Sequence, residues 1–265
     1  MTRHNGSSPT KRNEKGRITN SSSTVGGSWW EEDGFWYGLH TLFDPARVPF
    51  FRTAIQTHAL DSPQVLDVGS GGGFVAMGLG DIARVTPVDH SFDVAVAAQA
   101  AGVPRVVVAE AAQLPFGAST FDAVVCSEVL EHVPDPGAVI AEAARLVAPG
   151  GLFLFSTPAR TMWSRIALID AAQRWRLTRV LPSDLHDWDD FLTRDELVDL
   201  LEQNGFRLRR IAGMGVRFRS WPGMLLALML LKMGRIGYAE AGRRIDLTVT
   251  ASTRLAMIGY ADRVN

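Results

Sequence analysis

The sequence predicts an α/β fold, a doubly wound and mostly parallel sheet of seven strands with helices on both faces. Three observations carry this. From Val65 onward, short apolar runs alternate with helix-like segments, the pattern of strands joined by crossover helices. The first run, Val65 to Val68, leads directly into the glycine turn Gly69-Ser70-Gly71-Gly72-Gly73, and open sheets of this class bind ligands at such a strand-to-helix joint. Acidic residues recur along the same register, with Asp67 in the first run and Asp89 and Glu110 just after the next two.

Taken in chain order, residues 1–28 are polar, rich in Ser, Thr, Asn, Arg and Lys, and read as a disordered tail, not a signal peptide, which makes the cytoplasm the expected compartment. Residues 29–60 read as N-terminal helices, with Trp29, Trp30, Phe35, Trp36 and Tyr37 placed either to close over a site or to pack a helix. The main domain is expected over 61–265, with insertions near 160–190 and 216–250. Its strands are Val65 to Val68, Arg84 to Val88, Val106 to Val108, Phe121 to Cys126 and Leu152 to Thr157, then Phe206 to Ala212 and Arg254 to Ala261. Asp135 is placed to cap a helix with Pro136 in its first turn, and Pro149-Gly150-Gly151 stops that helix. Thr193 and Glu196 have the spacing of a capping box.

The totals narrow the function. With 27 basic and 28 acidic residues the charge is balanced, so no nucleic-acid surface is expected. The single cysteine, Cys126, excludes a disulfide framework and a cysteine metal site. In the dinucleotide fingerprint G-x-G-x-x-G the third glycine lets a helix N-terminus approach a pyrophosphate. Counted from Gly69 and Gly71, that position is Phe74. A nucleoside without phosphates is therefore favoured over NAD, which leaves an oxidoreductase as the weaker reading. Asp89 lies 22 residues past Asp67 and is placed to accept both ribose hydroxyls. Glu110, with Ala111 beside it, is placed to reach a base.

Four blocks give the chain its resemblance to class I S-adenosylmethionine-dependent methyltransferases, and among them to the ubiquinone-biosynthesis O-methyltransferases. These are Trp29-Trp30 with Leu39-His40 and Asp44-Pro45-Ala46-Arg47; the glycine turn; Ser127-Glu128-Val129-Leu130-Glu131-His132; and Phe155-Ser156-Thr157-Pro158 with His186 and Phe191. The resemblance implies a Rossmann-like methyltransferase fold, an N-terminal lid, and S-adenosylmethionine held by Arg47, Asp67, Gly69, Gly71, Asp89, Glu110, Ala111 and Ser127. Asp44 stands where the family has Asn, Ser70 where it has Cys, and residues 216–250 match poorly, so the acceptor pocket is this chain's own.

Glu128, Glu131 and His132 would share one face of a helical turn after the fourth strand. Two carboxylates and an imidazole suit magnesium, and the resemblance implies such a metal site. Without a metal, Glu131 could pair with Arg145, and His132 is the best general base, with His186 as a second base or an extra ligand. The expected substrate is a small hydroxylated molecule, a catechol-like quinone precursor or a sugar hydroxyl in a natural product. A non-catalytic nucleoside-binding regulator is the rival of another class. Met162 to Leu181 mixes Trp163 and Trp175 with Arg165, Arg174, Arg176 and Arg179, which fits either peripheral contact with a membrane or a helix covering the pocket. Met224 to Leu231 is apolar but too short to span a bilayer. The sequence carries no signal for an oligomeric state.

Overall fold

The computed structural model describes residues 29–58, 61–176, 178–183, 185–217 and 220–264, so the tail expected over 1–28 lies outside the described residues. A long helix, α1 (Phe35–Thr57), precedes the sheet in the segment read as N-terminal helices, and Pro45 and Pro49 lie inside it. The chain continues through β1 (Gln64–Val68), α2 (Phe74–Leu79), β2 (Arg84–Asp89), α3 (Phe92–Ala100), β3 (Val107–Val108) and β4 (Phe121–Ser127). It then forms α4 (Pro136–Leu146), β5 (Val147–Pro158), a helical turn at Met162–Ser164 and a π-helix over Arg165–Arg174. The remaining elements are α5 (Arg194–Gln203), β6 (Phe206–Val216), α6 (Trp221–Lys232), α7 (Tyr238–Arg244), β7 (Leu247–Thr250) and β8 (Ala256–Arg263).

The sheet has eight strands in the order β3-β2-β1-β4-β5-β8-β6-β7, one more than the sequence predicts. β3, β2, β1, β4 and β5 run parallel, and β8 lies antiparallel between β5 and β6. The unexpected strand is β7, from the insertion near 216–250, which pairs antiparallel with the end of β6 at the sheet edge. Its four residues Leu-Thr-Val-Thr are all half-buried, too short a run for alternation to reveal. The other prominent departure is Met162–Leu181: an amphipathic α-helix is expected there, and a π-helix is found, ending at Arg174.

The central strands β1, β4 and β5 feed both faces of the sheet, as a doubly covered sheet requires. Leu66, Val124, Cys126, Phe153 and Phe155 pack on one face with Ile140 and Leu146 of α4 and Leu197 and Leu201 of α5. Val65, Ala123, Val125, Leu152 and Leu154 pack on the other with Phe51 and Ile55 of α1 and Val75 and Leu79 of α2. The caps read from the sequence hold the covering helices in place. Asp135 accepts from the Ala138 N–H at 3.1 Å, and Thr193 and Glu196 close a reciprocal box. The register then brings Asp67, Asp89, Ser127 and Ser156 to the carboxyl edge of four adjacent strands, with Ser127 directly opposite Ser156. Ligands of open α/β sheets bind at that edge.

Candidate active site

The glycine turn bends sharply because Gly69, Gly71 and Gly73 all have positive φ, at 69°, 52° and 79°, a region that costs other residues about 1–2 kcal/mol. Gly71 also makes room for an aromatic ring: a Cβ there would lie 2.7 Å from Trp29. Trp29 stacks on Trp36 at 4.6 Å, and His40 of α1 stacks on Phe74 at 3.9 Å. The N-terminal aromatics thus cover the turn. The indole N–H groups of Trp29 and Trp36 are buried without a hydrogen-bond partner.

Below the turn, Asp89 accepts from the Gly71 N–H on one carboxylate oxygen and from the Ser91 N–H on the other, both at 2.9 Å. Each oxygen retains a second lone pair for a ligand. Asp67 is buried, one of its oxygens has no partner, and burial raises its pKa to about 7. Glu110 sits beyond β3 on the surface, with Ala111 half-buried next to it.

From α1, Arg47 reaches across to β4. Its guanidinium is buried, pairs with Asp44 and donates to Ser127 Oγ at 2.9 Å. Asp44 in turn contacts His40 Nδ1 at 2.5 Å. Burial alone would raise the Asp44 pKa, but Arg47 and His40 outweigh it and hold the carboxyl below the usual range. The chain of contacts continues inward: Ser127 Oγ meets Ser156 Oγ at 2.8 Å, and Ser156 Oγ donates to Glu128 at 2.7 Å. A continuous polar path therefore joins α1 to the tips of β4 and β5.

The turn after β4 holds a second group. Glu128 has φ of 57°, which directs its carboxylate to Ser156. Glu131 is buried; Thr157 Oγ1 donates to its Oε2 at 2.9 Å while Oε1 has no partner and lies 4.0 Å from His132 Nε2. Burial and the neighbouring Glu128 push the Glu131 carboxyl well above the usual range. The imidazole of His186 stacks on that of His132 at 5.2 Å. One ligand atom from each of Glu131, His132 and His186 falls within 4.8 Å of the others. Burial lowers His132 to about 3, with His186 adding to the effect, and lowers His186 to about 4. Both rings are therefore neutral at pH 7 with a lone pair free, which suits a metal ligand better than a general base.

The expected set thus changes in one member. Glu131 and His132 come together with His186, while Glu128 accepts from Ser156 and meets Glu131 carboxyl to carboxyl. The expected alternative partner of Glu131, Arg145, is engaged elsewhere, with Glu142 at 2.6 Å and the carbonyls of Phe116 and Leu114.

The methyltransferase-domain family model matches residues 66–155, the segment that contains the turn and these strand tips. A ubiquinone biosynthesis O-methyltransferase of Colwellia psychrerythraea is 35% identical over 219 residues, covering 75% of this chain and 85% of that protein. Its counterpart in Chromobacterium violaceum is 35% identical over 204 residues, covering 73% and 84%. The chain belongs to the class I S-adenosylmethionine-dependent methyltransferases. Solved structures add the fold: a methyltransferase of Methanosarcina mazei matches with TM-score 0.56 at 18% identity, covering 80% of this chain and 97% of that one. The [4+2]-cyclase SpnF matches with TM-score 0.53 at 18% identity, covering 82% and 81%, so the fold alone does not set the reaction.

The residues of this methyltransferase suit its cofactor. S-adenosylmethionine carries an ammonium, a carboxylate, a ribose diol and an adenine. The unpartnered oxygen of Asp67 matches the cation and Arg47 the carboxylate, while Asp89 has lone pairs for the diol. Sequence reasoning missed Thr157, Ser156, Asp44 and Gln173. The spacing His40, Asp44, Arg47 is one helical face and could have given Asp44 its role. The others are brought in by long-range packing that no local pattern marks.

Proposed function

We propose that this methyltransferase transfers its methyl group to a hydroxyl oxygen of a small aromatic diol, a catechol-like quinone precursor, with the help of a divalent cation. The observation that carries this is the Glu131–His132–His186 cluster one turn beyond Ser127, at the same sheet edge as the cofactor residues. The names of the curated relatives support the acceptor class. Bound S-adenosylmethionine supplies a methyl group already activated on a sulfonium. The protein's task is to align it with the acceptor and exclude water. Arg47, Asp67 and Asp89 fix the cofactor, and Trp29 and Trp36 shield the turn. A divalent cation held by Glu131, His132 and His186 would lower the pKa of an adjacent hydroxyl and hold two neighbouring oxygens at once.

A lipid-tailed acceptor would be met at a bilayer surface, and two exposed apolar stretches support peripheral contact there. Trp163, Ile166 and Trp175 lie out on and beside the π-helix, and Leu225, Leu226 and Met229 on α6. Exposed Arg174, Arg176 and Arg179 flank the first stretch, and Lys232 of α6 donates to the Arg176 carbonyl at 2.6 Å, tying the two together. No helix among the described residues is long and apolar enough to cross a membrane. The test is methyl transfer from labelled S-adenosylmethionine to catechols and glycosides, with and without chelator. Label on a catechol oxygen that chelator abolishes is expected; label on a sugar hydroxyl alone would overturn the acceptor, and insensitivity to chelator would overturn the cation.

A further inference from the structure

We infer that Asp44 is a positioning residue for recognition of the cofactor's carboxylate: it clamps one edge of the Arg47 guanidinium so that the other edge faces the cofactor, and His40 and Phe74 brace the clamp against the glycine turn. The inference needs the cofactor but neither the acceptor nor the cation proposed above.

His40, Asp44 and Arg47 follow one another at intervals of four and three residues along α1, so their side chains share one face of the helix. A guanidinium carries five N–H donors in a rigid plane. Asp44 Oδ1 takes two of them, from Nε at 3.0 Å and from Nη2, and Ser127 Oγ takes one from Nη1 at 2.9 Å. These three bonds leave over one N–H on each terminal nitrogen, the pair with which a guanidinium grips a second carboxylate in two-point fashion. Asp67 and Glu128 also act on Arg47 through their charge, but among the described carboxylates Asp44 is the one hydrogen-bonded to it. A buried guanidinium released from Asp44 would turn towards those other carboxylates and lose its fixed edge.

The clamp is itself fixed. Asp44 Oδ2, the oxygen not used on Arg47, meets His40 Nδ1 at 2.5 Å. Asp44 is held in its ionised form by Arg47 and His40, so it only accepts, and His40 donates from Nδ1. The His40 ring lies flat on Phe74, with 3.9 Å between centroids and 13° between planes. Phe74 is packed in turn against Trp30 at 4.4 Å and Tyr37 at 5.8 Å. Phe74 occupies the position at which a dinucleotide-binding turn carries its third glycine. Its ring is the platform on which the clamp rests, so the residue that disfavours a pyrophosphate also serves recognition of a carboxylate. An asparagine, which the resembling family carries in place of Asp44, would keep an oxygen for Arg47 and offer an N–H to the other tautomer of His40. The geometry of the clamp, more than its charge, therefore positions Arg47.

The experiment is calorimetric titration of the full-length protein with S-adenosylhomocysteine and with its decarboxylated analogue, which differs only in a hydrogen where the carboxylate was. Asp44→Ala should weaken S-adenosylhomocysteine about 10- to 100-fold, as expected for lost hydrogen bonds to a charged group, and leave the analogue within about 3-fold. Asp44→Asn should keep S-adenosylhomocysteine within about 5-fold of the parent because its oxygen still accepts from Arg47. His40→Ala and Phe74→Leu leave the buried ion pair intact and should each weaken S-adenosylhomocysteine about 3- to 10-fold, without moving the analogue. In an Arg47→Ala background there is nothing left to position, and Asp44→Ala should add less than about 2-fold. Binding of the analogue shows that each variant is folded. Equal losses for the two ligands would overturn the assignment and leave Asp44 a merely structural residue. Parent-like affinity for S-adenosylhomocysteine in Asp44→Ala would overturn it too, as would Asp44→Asn as weak as Asp44→Ala. If Asp44→Ala does not fold, His40→Ala decides: a loss confined to S-adenosylhomocysteine upholds the clamp, and an equal loss or none overturns it.

Discussion

Replacing Gly69 by alanine combines two costs that the structure separates. The residue has φ of 69°, and moving a side chain into that region costs about 1–2 kcal/mol. The new Cβ would also lie deep inside van der Waals contact with Val129 Cγ2, just after β4, and overpacking of this kind costs about 1–3 kcal/mol. Gly69→Ala should therefore lose about 2–5 kcal/mol, a large share of the stability of a typical domain. Val129 is buried and belongs to the core on the α4 side, so Val129→Ala alone should cost about 1–2 kcal/mol through lost burial. In the double variant the clash is gone and only the backbone cost remains, giving a favourable coupling of about 1–3 kcal/mol. Urea unfolding of the four proteins without cofactor measures this cycle. A coupling below about 0.5 kcal/mol would refute the close contact between the glycine turn and the β4 tip on which the site geometry depends.

Three further outcomes follow from the buried charges. Burial holds His132 near 3 and His186 near 4, against about 6.5 when unfolded. The unfolded chain binds more protons between those values, so the metal-free protein keeps its full stability above pH 6.5 and loses it as pH falls towards 4; His186→Gln should flatten that slope in urea titrations at pH 5 and 7.5. Asp67, raised to about 7 by burial, acts in the opposite sense: its contribution is full below about pH 3.9 and is lost as pH rises through 7. Asp67→Asn should therefore gain stability over the parent as pH rises from 4 to 7, while calorimetry shows weaker S-adenosylhomocysteine binding. Arg47→Ala strips buried Asp44 of its guanidinium and should cost about 3–5 kcal/mol by chemical denaturation, with Arg47→Lys falling between it and the parent because the two-point contact is lost.

What the sequence made legible was whatever is local. The glycine turn and the caps at Asp135 and Thr193 depend on neighbours within a few residues, and the structure places them as the patterns suggest. β7 escaped because four half-buried residues carry no period, and the π-helix because its side chains repeat nearly like those of an α-helix. Glu128 and Glu131 looked equivalent by spacing, but with a positive φ at Glu128 the two take different hydroxyl partners, Ser156 and Thr157, and a backbone conformation of that kind cannot be read from residue types. The approach of His186 to His132 depends on how a long insertion folds back over the sheet edge, which periodicity does not encode.

The most direct test of the account is the fate of a labelled methyl group. Given S-adenosylmethionine, a panel of catechols, amines and carbon acids, and Zn2+ or Mg2+, the protein should place the label on a catechol oxygen and lose that activity with chelator. Label found only on nitrogen or carbon, or tight S-adenosylhomocysteine binding with no transfer to any acceptor, would contradict it.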